Sequence, residues 1–242
     1  IYMSNIHISL SAETLGHIGS FPITNSLVMS WLVVFCLCVF AVIVSRNIRL
    51  VPGRFQTTME LAIGGARDYM AETLEDKKIA NALLPLLATI FFFILFANLI
   101  QLFPGVGSIG FYMDEHGHEK FVSLLRGMTA DLNVTLALAL VSLTVIEFMG
   151  ISHLGFLSYI GKFVTFNSPL QFAIGIIDLF SELARLVSFS FRLFGNVFAG
   201  EVMIAIAIFF VPFFLPVPLV LFEVMVGIIQ AAVFALLTLF FV

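Results

Sequence analysis

Asp178, Glu182, Arg185, Arg192 and Glu201 stand in a stretch, residues 170 to 211, that is otherwise dominated by apolar side chains. A charge at the centre of a hydrocarbon layer costs roughly 2.5 to 3.5 kcal/mol, so each of these groups needs a polar neighbour or access to water. At about 100° per residue, Arg185 falls about 20° from Arg192, Ser188 and Ala199 within about 40°, and Gly195 and Asn196 within about 60°. One helix face therefore joins a deeply placed cation to small residues that admit another helix closely. The neighbours of Arg192 three and four positions away are Phe189, Gly195, Ser188 and Asn196, none of them acidic. Its counter-charge must come from elsewhere, which marks Arg192 as a functional cation. Glu182 and Arg185, three apart, read instead as an internal ion pair.

Glu201 lies about 180° around the helix from Arg192, so the two face different surroundings. In the final apolar run Glu223 and Gln230 share a face with Gly227, a polar strip able to meet Glu201 across the proline-containing turn. Polar strips on neighbouring membrane helices suggest a water-lined path.

Other chemical patterns fail on spacing or context. Gly105, Gly107 and Gly110 satisfy G-x-G-x-x-G, yet they follow an apolar helical run and Pro104 rather than a strand, and read as a flexible turn. The stretch from Gly155 to Lys162 has one residue too many between its glycines for a phosphate loop, and Phe163 stands where a hydroxyl belongs. No nucleotide binding is expected. His116, His118 and Glu119 lack the H-E-x-x-H spacing of a zinc site, since Val122 stands four after His118; a solvated outer loop is expected, with no metal and no cofactor. Cys36 and Cys38 point about 200° apart on a helix and read as small apolar fillers.

The elements that must hold these residues follow from composition. The chain of 242 residues is 61% hydrophobic and 11% charged, with 29 phenylalanines and a mean hydropathy of +1.13. A soluble domain carries about 25% charged residues, so a water-soluble fold is excluded. The net charge of −4, with no basic run, argues against a nucleic-acid partner. We expect an all-α polytopic membrane protein forming a single membrane domain, residues 1–242. Residues 27–44, 82–103 and 132–149 are apolar runs of spanning length. Residues 57–81 combine many charges with a stripe of Met59, Ala62, Ile63, Ala66, Met70 and Leu74, which predicts an amphipathic surface helix. Residues 170–211 would make a helix of about 63 Å, twice the hydrocarbon thickness, and 215–242 is also too long to stand upright. Pro212, Pro216 and Pro218 supply the turn of a tilted helical hairpin. Basic residues set the orientation: residues 1–26 hold none, whereas 45–81 hold Arg46, Arg49, Arg54, Arg67, Lys77 and Lys78. The amino terminus is expected outside, and alternation puts 104–130 outside, 150–168 with Lys162 inside, and the carboxyl terminus inside. No charged segment followed by a short apolar core of the secretory type is expected at the start.

The run Ser190-Phe191-Arg192-Leu193-Phe194-Gly195-Asn196-Val197-Phe198-Ala199-Gly200-Glu201 resembles the signature of subunit a of F-type ATP synthases, the stationary membrane subunit beside the rotating c ring. Asn98 to Pro104, Ala130-Asp131-Leu132-Asn133-Val134-Thr135, and Glu223 through Gln230 to the end are similar to that family in the same order. The resemblance covers about residues 27 to 242. It implies that Arg192 faces the ionisable carboxylate of the c ring. It implies that Asn196, Glu201, Glu223 and Gln230 line a half-channel open to the outer side, and that Asp178, Ser181 and Ser188 line an inner one. Some members of the family carry histidine at the position of Glu201 or Glu223, and aspartate at that of Gln101.

The resemblance further implies an ion-translocating subunit that is not catalytic by itself. Its partners would be the c ring, b-type peripheral-stalk subunits, the lipid membrane, and protons, with sodium ions as the alternative. The expected location is a bacterial inner (plasma) membrane, with mitochondrial inner and thylakoid membranes as alternatives. A secondary transporter would show a repeat between residues 27–103 and 132–242, and none is visible; a mere scaffold gives no reason for Arg192.

Overall fold

The computed structural model describes residues 12–115, 118–155, 159, 169–212 and 214–241. Six helices are present among these residues: α1 (Asn25–Arg46), α2 (Arg54–Thr73), α3 (Lys77–Gln101), α4 (Leu132–Leu154), α5 (Pro169–Phe210) and α6 (Pro216–Phe240). All but α2 are long and apolar enough to cross a membrane. The fold is all-α and polytopic, as composition dictates.

Helix starts follow local capping chemistry. The Thr24 hydroxyl accepts from the Leu27 amide at 3.3 Å and opens α1. Asp131 accepts from the Asn133 amide at 2.9 Å and opens α4, so both ends satisfy a donor that hydrocarbon would leave bare. The surface helix expected over 57–81 is corrected at its end. It stops at Thr73, Glu75 takes a left-handed φ of 54°, and Asp76 caps α3 by accepting from the Lys78 amide at 2.7 Å. Lys77 and Lys78 therefore begin a spanning helix rather than finish a surface one. The reason is that Asp76 satisfies the new helix's free amides better than continuation through a charged run.

The connection between α3 and α4 also has more order than a flexible turn. It forms β3 (Pro104–Gly107), β4 (Gly110–Glu115), β5 (His118–Ser123) and a 3₁₀ turn, Met128–Ala130. Strands β4 and β5 pair antiparallel with Gly110 opposite Ser123 and Tyr112 opposite Phe121. Gly105 and Gly107, at φ 114° and 81°, take conformations closed to most side chains. A second hairpin, β1 (Thr14–Ile18) with β2 (Phe21–Thr24), precedes α1. His116 lies outside the described residues, as do Lys162 and the stretch from 160 to 168.

Helix α3 packs on α6, α4 on α5, and α5 on α6. Ile90, Ile94, Ala139, Phe189, Leu193, Ala231 and Phe234 form the central cluster, with the rings of Phe189 and Phe234 5.2 Å apart. Lipid tails are as apolar as these side chains, so close packing and polar links, more than the hydrophobic effect, join the helices. Two such links are the Ser26 hydroxyl donating to Asp131 at 2.6 Å and the Thr135 and Ser190 hydroxyls 3.2 Å apart. Together they tie α1, α4 and α5 around the site.

Candidate functional site

Helix α5 runs unbroken past every polar residue singled out on it, and its pitch sorts them by direction. Arg192, Ser188 and Ser181 are exposed, and Asp178 is partly buried. The guanidinium of Arg192 reaches the Ser188 hydroxyl at 3.4 Å, and among the described residues no carboxylate pairs with it. Around it the surface is apolar: Phe191 is 55% and Val187 51% exposed. An unpaired cation in an oily face is unstable in lipid alone and needs a polar neighbour or water. Ser181 is turned inward upon its own helix, its hydroxyl donating to the Ile177 carbonyl at 2.9 Å.

Farther along its length α5 meets α6. Asn196 donates to the side-chain oxygen of Gln230 at 3.3 Å, while the Gln230 amide nitrogen is buried without a partner. Glu223 is 6% exposed and lies against Gly200, where any Cβ would overlap its carboxylate. Gly227 on α6 lets α3 in: the Asn98 amide donates to its carbonyl at 3.2 Å, and Asn98 Cβ would stand 3.0 Å from an added Cβ. The Thr129 hydroxyl is 3.2 Å from both Asn98 Oδ1 and Gln101 Oε1. Small residues thus bring polar groups of three helices together, as the sequence pattern requires.

Of these groups Glu223 and Gln101 line a cavity of about 700 Å³, together with Glu201, Arg126, Asn25 and Glu13, among others. Gly127 admits the side chains of Gln101 and Glu201, both of which would collide with a larger residue there. The sequence places Glu201 and Glu223 here, and the structure brings both to this cavity. Arg126, Thr129, Asn25 and Glu13 were not among the expected site residues. Asn98 and Gln101, three apart in an apolar helix, did carry a signal: polar side chains so placed share one face and need partners. The internal ion pair is present, with Arg185 Nη1 2.9 Å from Glu182 Oε2.

Asp178 and Glu201 lie on either side of Arg192, about 21 Å and about 14 Å along the α5 axis. Polar groups toward its amino-terminal half and a polar cavity at its carboxyl-terminal half are thus separated by one exposed arginine. Residues 27–242 match the profile of the family described as ATP synthase A chain. The chain belongs to that family. Among its relatives, the ATP synthase subunit a of Trichlorobacter lovleyi is 33% identical over 238 residues, covering 97% of this chain and 92% of that protein. The ATP synthase subunit a of Moorella thermoacetica is 31% identical over 226 residues, covering 93% and 92%. That of Geobacter sulfurreducens is 33% identical over 221 residues, covering 90% and 86%. The family match includes Arg192, Glu201 and Glu223 and leaves out Glu13 and Asn25 of the cavity wall.

Proposed function

We propose that this chain is the proton-translocating stator subunit of an F-type ATP synthase, working with a c ring in a bacterial plasma membrane and held by b-type stalk subunits. The observation that carries the reading is the exposed, unpaired Arg192 between two polar regions of one long helix. Protons enter from the outer side through the cavity beside Glu201 and Glu223 and continue along the hydrogen-bonded Asn196 and Gln230. They neutralise a ring carboxylate, which then passes through lipid as the ring turns. The inner path runs along Asp178, Ser181 and Ser188. Near Arg192 a ring carboxylate is held ionised, because a fixed cation favours its charged form. Arginine serves as a gate rather than a relay, since its delocalised guanidinium carries a fixed charge and five donors but no acceptor with which to pass a proton on. Family membership and the bacterial relatives support this reading.

Reconstitution tests it. Vesicles holding the chain with a c ring should conduct protons, and vesicles holding the chain alone should stay tight. Conduction by the chain alone would favour a transporter, and none in either case a scaffold.

A further inference from the structure

The inner half of α5 carries a second arginine on almost the same face as the first. Arg185 precedes Arg192 by about 10 Å along the axis and about 20° around it, so a ring carboxylate passing one cation passes near the other. Left bare, Arg185 would offer that carboxylate a second ionised resting place short of the gate. It is not left bare. Its Nη1 donates to both carboxylate oxygens of Glu182, at 3.0 and 2.9 Å, and its guanidinium carbon stands 4.5 Å from the centre of the Phe241 ring. Glu182 is buried, 7% exposed, about 80° around α5 from Arg192, and holds the arginine toward this buried flank.

A neighbouring acid is engaged elsewhere. The Tyr159 hydroxyl donates to Glu147 on α4, and the Tyr159 ring rests on Gly150 of the same helix. Burial first, and then that hydrogen bond, push the Tyr159 phenol above its usual range, so it remains a donor to Glu147. Glu182 is thus the carboxylate that Arg185 contacts.

We propose that Glu182 is a positioning residue that masks Arg185, so that Arg192 is the one cation α5 presents to the ring. The proposal rests on the function assigned above. It gives the ion pair a purpose beyond packing: it keeps a charge off the path while holding it where α5 meets the end of α6. An apolar pair would leave the path equally clean, but a lone arginine would not.

The purified complex tests this with Glu182→Gln, Arg185→Gln, the double variant and Arg192→Ala, each read as ATP-driven proton pumping per assembled complex together with the thermal midpoint of the complex. Glu182→Gln should lower pumping at least fivefold at an unchanged midpoint. Arg185→Gln, and the double variant, should stay within twofold of the parent. A Glu182→Gln complex that pumps within twofold of the parent, one whose loss follows lost assembly, or a double variant that remains slow would each overturn the mask. If Arg192→Ala pumps normally, the assigned function fails instead, whatever the other variants do.

Discussion

Glu201 and Glu223 face one cavity from two helices, in surroundings where Coulomb repulsion between carboxylates is weakly screened. We expect them to act as a proton-sharing unit rather than as independent stations. Glu201→Gln and Glu223→Gln should each slow proton flux about tenfold. The double change should cost clearly less than the sum of the two losses in log rate, because residues that work as a unit are non-additive. Additive losses would separate the two sites and leave the outer path to Asn196, Gln230 and water. Both carboxylates were legible in the sequence as charges in apolar runs. Arg126 was not, since a basic residue in a connecting loop looks the same whether it faces solvent or turns into a cavity.

At the scale of elements, glycine decides where helices touch. Gly200 on α5 is filled from across the interface by the Glu223 carboxylate of α6. The obstacle to a methyl group is the far end of a flexible side chain, so Gly200→Ala should leave assembly and thermal stability near those of the parent. It should displace Glu223 and lower proton flux about fivefold or more; unchanged flux would show that the position of this carboxylate is not critical. Helix bounds were readable because prolines close the apolar runs: the expected 170–211 became α5, Pro169–Phe210, and 215–242 contains α6, Pro216–Phe240. The end of α2 was not, because its apolar stripe runs on through Leu74 and the left-handed Glu75 that breaks it carries no glycine signal. The β4–β5 hairpin was hidden for a different reason. Its register is fixed by pairing across a loop whose residues do not alternate strictly between apolar and polar, so no period of two stood out.

For the molecule as a whole, the distribution of Arg and Lys predicts an orientation. With Cys36 and Cys38 replaced, a single cysteine at Ser108, beside the cavity mouth, should react with an impermeant thiol reagent added to intact cells. One at Thr73, at the end of α2, should be spared, and the reverse pattern would overturn the topology. The exposed face of α5, a long apolar surface holding one unpaired cation, is the surface on which the proposed ring would lie. The measurement that bears on this most directly is ATP-driven proton pumping by the purified complex carrying Arg192→Ala, a change that removes the charge without adding bulk to that face. The account predicts a fully assembled complex whose pumping is lost, with Arg192→Lys failing to restore it fully because an ammonium has a different reach and can release its proton when buried. Pumping at the parent rate in the alanine variant would contradict it.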